Sequence, residues 1–515
     1  MARESRVGKS LLNARVNVIF YFIMLLVSFF SRKTFLDMLG ADFMGFTGTI
    51  GNLLGFLNIA EMGIVTAIGY VLYKPLFDGD RQKVSEIISV LGYIYSIVGL
   101  VILGGGLVLA CLLPVIYPDT GFSWGVVYFA FFSYLTSSLL TYFTNYRQTL
   151  LAADQRYYVV AIYSQSSMII KTIVQMAIAY YTQNYYLWLA IELCAGILYS
   201  IYLNWKIGKV YPWLCSDKRK GRQLLKKYPE IMKSARQLFV HKVGFFVQSQ
   251  MSPLIIYMFG SLNVVAFYGN YTIIITKLMA LVNNLFGSTN AGVGNLIAEG
   301  DRDRIVHVFW ELQGLQFFIA GVLSFALLHL TGAFIVLWLG DEYLLPMVVL
   351  VLIIVTMFIT ITRNAVDQFM FGYGLFADVW APVAESVICI SVAFIGGSLW
   401  GLPGVLLGSV VSLLLIVVMW KPYYLYRSGF KMPYHRYVVG YLKHLALVAL
   451  PGVALHFLLP ADMFDPMASF ANWIWYAIVI VGLYSVVTFM LMYALCPAMR
   501  TFVGRFPIGK LFRNR

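Results

Sequence analysis

Apolar runs of twenty residues or more recur along the chain, separated by short polar intervals where most of the charge collects. A bilayer core about 30 Å thick is crossed by a helix of about 20 apolar residues. Fourteen segments reach that length: 14–39, 43–72, 87–115, 123–146, 159–182, 186–205, 238–260, 264–296, 307–331, 344–372, 378–399, 402–420, 438–459 and 471–496. Their apolar residues do not alternate at every second position, as strands of a membrane barrel would. The pattern predicts an all-α integral membrane protein with about 14 transmembrane helices. The first run, from about Val16, follows the basic stretch MARESRVGKSLLNAR, which resembles the start of a secretory signal. No A-x-A cleavage site follows, so the run reads as a retained first span.

The polar intervals set the orientation. With both termini placed in the cytoplasm, the outward intervals around Asp42, Asp119, Asn184, Ser261, Asp341, Trp400 and Asp462 contain no Lys or Arg. The inward ones hold nearly all the basic residues, including the tail RTFVGRFPIGKLFRNR, which is the positive-inside asymmetry. The formal net charge of +14 is therefore mainly a topology signal and argues for no nucleic acid partner. The composition agrees, with 60% hydrophobic and 12% charged residues. Short outward loops leave little room for the large catalytic loop of a membrane-embedded glycan polymerase.

The longest inward interval contains SDKRKGRQLLKKYPE and divides the chain. Residues 1–206 form an N-terminal lobe (spans 1–6), 207–237 a basic hinge loop, and 238–425 a C-terminal lobe (spans 7–12). Residues 426–515 add accessory spans 13–14 and a basic tail. An internal repeat supports the division: DGDRQKV (Asp78 to Val84) returns 221 positions later as EGDRDRI (Glu299 to Ile305), and Gly48 matches Gly269 at the same offset. Six helices per lobe give both the same orientation, related by an axis along the membrane normal, and such repeats place a substrate site between them.

Familiar chemical motifs are missing. The five cysteines form no CxxC and the six histidines no HExxH, so neither a metal nor a cofactor is expected. Gly8-Lys9-Ser10 looks like the end of a P-loop, but Arg3 stands where the leading glycine belongs.

The informative residues are cations inside spans: Arg32, Lys33, Lys171, Lys277 and Arg363, with Lys242 near an inner end. Each costs about 2.5 to 3.5 kcal/mol at mid-span, so each needs a partner, water or a function. Asn13, Asn17, Tyr21, Ser28 and Arg32 form one polar stripe at helical spacing; Lys33, turned about 100° away beside Phe22 and Phe29, reads as snorkelling to headgroups. Asn270, Lys277 and Asn284 share a side of the eighth span, and Lys171 shares one with Ser164, Ser167 and Gln175, within reach of Glu192 on the next span. Arg363 lines up with Thr356 and Thr360 and has Asp367 four residues on, the spacing of a local ion pair. Arg32 and Lys277 have no acid at three- or four-residue spacing and lie in different lobes. Such cations suit an anion, and guanidinium suits phosphate oxygens especially. Glu61 lies opposite Gly45, Gly48, Asn52 and Gly55 and is read as a bond to a neighbouring helix, or as a site coupling transport to an H+ or Na+ gradient.

The stretch SRKTFLDMLGADFMGFTGTIGNLLGFLNIAEMGIVTAIGYVLYKPLFDGD (Ser31 to Asp80) resembles the opening of bacterial polysaccharide-repeat-unit flippases. These form the Wzx-type branch of the multidrug/oligosaccharidyl-lipid/polysaccharide exporter superfamily. YRQTLLAADQRYY (Tyr146 to Tyr158) resembles the segment joining that family's spans four and five. The resemblance implies a non-enzymatic flippase of the bacterial cytoplasmic membrane, with two V-shaped bundles that alternate between inward- and outward-open states. It implies a polyprenyl-diphosphate-linked oligosaccharide as cargo, with membrane lipids and other polysaccharide assembly proteins as partners. The family's basic cavity maps onto Arg32, Lys277, Arg363 and Lys171. The alternatives are a cell-wall lipid precursor flippase, a cation-coupled multidrug exporter and, in another class, the glycan polymerase.

Overall fold

The computed structural model describes residues 6–61, 64–118, 121–154, 156–229, 231–232, 252–287, 293, 296–297, 299–375, 378, 380–458 and 465–504. Among the described residues all regular structure is helical, as a hydrocarbon solvent demands of a chain whose backbone groups must be satisfied within each segment.

The chain forms two compact units, Met1–Ala266 and Phe267–Arg515. The first contains α1 (Arg6–Leu39), α2 (Ala41–Leu57), α3 (Ile64–Asp78), α4 (Arg81–Ile116), α5 (Trp124–Phe143), α6 (Gln148–Ala153), α7 (Tyr157–Thr182), α8 (Tyr185–Val210) and the short α9 (Gly221–Lys227). Next comes α10 (Leu262–Gly287), in which the unit boundary falls. The second unit continues with α11 (Arg302–Trp338), α12 (Met347–Thr362), α13 (Asn364–Gly372), α14 (Trp380–Trp400) and α15 (Leu402–Ser412). The last of these runs on through π-helical stretches Leu413–Trp420 and Leu425–Gly429, and α16 (His435–Leu458), α17 (Phe470–Leu495) and α18 (Pro497–Gly504) complete the unit.

Among the described residues eleven helices are long and apolar enough to cross a membrane, so this is a multi-pass membrane protein. They coincide with eleven of the fourteen expected spans. The other three differ for separate reasons. The expected span 43–72 is not one helix: it breaks at a 3-10 turn, Asn58–Glu61, between α2 and α3. The span 159–182 is the unbroken α7, whose serines, glutamines and Lys171 dilute its apolar character. The span 238–260 lies largely outside the described residues.

α4 buries one face and leaves the other exposed, whereas α11 has no exposed residue beyond His307. On α4, Val84, Ile87, Ile88 and Leu91 are buried, while Leu100, Val108 and Val115 are 61%, 61% and 76% exposed. Exposed apolar surface on this scale would be an aggregation hazard in water and is normal against acyl chains.

The repeated motif has the same structure in both units. Gly79 and Gly300 take positive φ angles of 73° and 78°, a conformation that costs a residue with a Cβ about 1 to 2 kcal/mol. Asp80 and Asp301 then cap the following helices, accepting from the backbone N–H of Lys83 at 2.9 Å and of Arg304 at 3.2 Å. The capped helices α4 and α11 have 36 and 37 residues, and the preceding α2 and α10 start at Ala41 and Leu262, again 221 apart.

Candidate functional site

In the first unit, Arg32 on α1 points its guanidinium at α10, donating from Nη2 to the Ala266 carbonyl at 2.7 Å. Lys33, next in sequence, is exposed, in keeping with a cation that reaches for headgroups. The polar stripe expected on α1 is only partly described: the side chains of Asn13 and Asn17 lie outside the described part, and the Ser28 hydroxyl turns back to the Met24 carbonyl of its own helix.

α7 and α8 pair through a half-buried polar network. Lys171 Nζ lies 2.7 Å from Glu192 Oε1, as their sequence positions suggested. The Gln175 amide donates to Glu192 Oε2 at 3.2 Å and to the Trp188 carbonyl at 3.1 Å. The Lys171 ammonium has three N–H bonds. Glu192 takes one, and the other two have no acceptor among the described residues. Beside this network runs a groove of about 540 Å³, lined by Tyr163, Ser166, Ser167, Lys171, Tyr199 and Tyr202 over an apolar floor. Ile170 and Leu198 on its rim stay 62% and 52% exposed. A groove with one cation, several hydroxyls and a wide apolar floor has the chemistry to take an amphiphile whose polar part is anionic or hydroxylated.

Glu61 sits in the break between α2 and α3 and accepts the Tyr95 hydroxyl at 3.1 Å. Asn58, at the same turn, accepts from Tyr142 at 3.0 Å and Ser138 at 3.3 Å. The interrupted helix is thus tied to α4 and α5. The expected face relating Glu61 to Gly45, Gly48 and Gly55 assumed a continuous helix, and the turn removes that register.

The second unit holds a charge cluster wider than its sequence suggested. Arg363 sits at the joint between α12 and α13, and its Nε lies 2.7 Å from Asp367 Oδ2. Lys421 Nζ, from between the two π-helical stretches, reaches Asp367 Oδ1 at 2.7 Å. Glu385 of α14, only 7% exposed, is 4.0 Å from Arg363 Nη1. Two cations face two acids, so Arg363 is balanced where it stands. The α12–α13 joint is bridged from α11: Gln313 donates to the Thr362 carbonyl at 2.9 Å and Gln316 accepts from Ala365 N–H at 2.9 Å. Those amides satisfy backbone groups that the joint interrupts.

Lys421 and Glu385 were missed by sequence reasoning. Lys421 closes the run 402–420 and looked like a helix-end charge, whereas Glu385 carried a usable signal as the lone acid within 381–399. Lys277 is half-buried on α10, Asn270 of the same helix is fully buried, and the Asn284 side chain lies outside the described part. The expected pair, Arg32 and Lys277, is divided between the two units. Among the described residues, no group of three or more His, Cys, Asp or Glu could hold a metal ion.

No protein-family model and no characterised relative matches the sequence. Solved structures do match. The chain superposes on the lipid II flippase MurJ in an inward closed conformation with a TM-score of 0.65 and 14% identity, covering 93% of this chain and 98% of that one. It superposes on an inward-facing multidrug resistance MATE family transporter of the MOP superfamily with a TM-score of 0.61 and 13% identity, covering 82% and 99%. At such identities the likeness is one of fold: the chain has the all-helical fold that these two proteins share.

Proposed function

We propose that the protein is a Wzx-type flippase. It carries a polyprenyl-diphosphate-linked oligosaccharide, such as an O-antigen, capsule or exopolysaccharide repeat unit, from the inner to the outer leaflet of a bacterial cytoplasmic membrane by alternating access. The observation that carries this reading is the α7–α8 groove, where Lys171 keeps two N–H bonds to give beside tyrosine and serine hydroxyls and above an apolar floor. A diphosphate with its sugars cannot be stripped of water and drawn through about 30 Å of hydrocarbon unaided. The ammonium and hydroxyls replace that water, and the apolar floor receives the first isoprene units. Arg32 and Lys277 engage the diphosphate, and Asn17, Asn270 and Asn284 offer amide hydrogen bonds along the route. Arg363, balanced with Lys421 by Asp367 and Glu385, lends no net positive charge to the route.

Export of cationic drugs is favoured less, because the acids within the spans are already engaged. Glu192 serves Lys171 and Gln175, Asp367 serves Arg363 and Lys421, and Glu61 holds Tyr95.

The test is reconstitution in vesicles with a fluorescent undecaprenyl-diphosphate oligosaccharide, read by its exposure to an impermeant lectin on the opposite side. Wild type is expected to translocate it, and the charge-neutral pair Lys171→Gln with Glu192→Gln to slow translocation at least tenfold. Arg32→Ala and Lys277→Ala are expected to do the same at normal abundance. Unchanged rates in all three variants would reject the site, and lengthening of the glycan by purified protein would make the protein a polymerase.

A further inference from the structure

The repeat-related helices α4 and α11 carry a pocket at the same register. Gln82, Ser85, Glu86 and Ser89 of α4 line a cavity of about 580 Å³; Asp303, Val306, His307 and Trp310 of α11, each 221 positions later, line one of about 450 Å³. Both lie at helix ends that the charge distribution assigns to the cytoplasmic side.

The remaining walls differ in charge. In the first unit the hinge segment supplies Trp213, Asp217 and Lys220, so Arg81 and Lys220 are matched by Glu86 and Asp217. Glu86 is further engaged by Lys227 at 2.7 Å and Tyr228 at 2.6 Å, and Arg81 lies over the Trp213 ring. In the second unit the wall is the start of α16, with Arg436, Val439, Gly440 and Lys443, closed by Pro497 and Ala498 of α18. Asp303 is the one carboxylate in this lining. His307 is occupied by Thr501 at 2.8 Å and Glu311 at 3.4 Å. Lys443 spends one N–H on the Leu495 carbonyl at 2.7 Å, and the Arg436 guanidinium makes no hydrogen bond or ion pair among the described residues.

We propose that the second-unit pocket binds the phosphate headgroup of an anionic phospholipid of the inner leaflet. Arg436 and Lys443 lie two helical turns apart on one face of α16, about 10 Å along its axis, and bracket a phosphodiester between a planar fork and a point charge. Val439 and Leu442, interleaved with them, are 64% and 56% exposed, so the cations border a surface made for acyl chains. A soluble phosphate has no use for that surface. Trp310 contributes an indole of the kind found at membrane interfaces. Basic pockets between spans on the cytoplasmic side are suited to such headgroups. The site is separate from the transport route proposed above and stands or falls without it.

The experiment uses full-length, delipidated protein in detergent. Its thermal midpoint is followed against phosphatidylglycerol, phosphatidylethanolamine and soluble glycerol 3-phosphate. Phosphatidylglycerol is expected to stabilise wild type at the lowest concentration. R436Q with K443Q should raise the concentration required at least tenfold, while R81Q with K220Q, in the charge-matched pocket, leaves it unchanged. Equal response to phosphatidylethanolamine, or an unchanged response in the R436Q/K443Q protein, overturns the proposal. Stabilisation by glycerol 3-phosphate at the same concentration assigns the pocket to a soluble ligand and overturns it as well. A photoreactive phosphatidylglycerol on wild type gives a reading independent of variant folding: labels within 436–443 or 303–310 support the site, and labels confined elsewhere refute it.

Discussion

A carboxylate between apolar helices persists only where donors surround it, and Glu192 shows the arrangement at its smallest. Its oxygens receive one ammonium and one amide, both from α7. Replacing Lys171 with Met leaves the acid with a neutral donor in a place where its side chain is 16% exposed. The expected loss is about 3 to 5 kcal/mol, visible as a lower thermal midpoint in detergent, and adding Glu192→Met should recover most of it. If the double variant is as unstable as the single, the pair is not the source of the effect. The Arg363 and Asp367 pair was legible because its partners are four residues apart on one stretch of chain. Lys421 and the Tyr95 that holds Glu61 were not, because the four-residue rule relates side chains on one helix only, and Glu385 showed as a lone acid without showing its partner.

At the scale of elements, hydropathy located the crossings well, since a span is above all a matter of length and apolarity. It could not see the break at Asn58–Glu61, whose polar groups are satisfied by Tyr95, Tyr142 and Ser138 from other helices. The packing of α14 on α15 was equally hidden. There Gly396 and Gly404 approach backbone to backbone, so that a Cβ on either would strike the other's carbonyl, and Gly408 lies against the Cys389 carbonyl. Gly404 and Gly408 have the four-residue spacing of small residues that lets membrane helices come close. Gly404→Ala should therefore destabilise the second unit by about 1 to 3 kcal/mol. The same change at Gly482, where a Cβ meets nothing within 4 Å, should be far milder. Unfolding in graded SDS would rank the two variants, and equal effects would contradict the close approach.

For the whole molecule, the charge pattern predicts sidedness, and the cysteines already present can test it. Cys215 is exposed in the segment that follows α8, whereas Cys111 and Cys194 are exposed on helices long and apolar enough to span, and Cys389 and Cys496 are buried. An impermeant maleimide should modify Cys215 in inside-out vesicles and spare it in intact cells, as site-resolved mass spectrometry would show. The opposite result would invert the topology and the direction of transport. In sequence the division into two parts rested on the long basic interval and on a seven-residue repeat with one matched glycine at an offset of 221, because apolar spans resemble one another too freely to betray a duplication.

Those seven residues also act as a rotational zero mark. With the chain pinned at Asp80 or Asp301, every later side chain of α4 or α11 has its bearing fixed by counting from the cap. Losing one residue just after the pin would swing the rest of the helix by about 100°. Ile87 and Leu91 would be carried off their neighbours, and a length of chain sufficient to traverse the bilayer would face the wrong way throughout. The same loss beyond the far end, near Gly121, would merely shorten a connection.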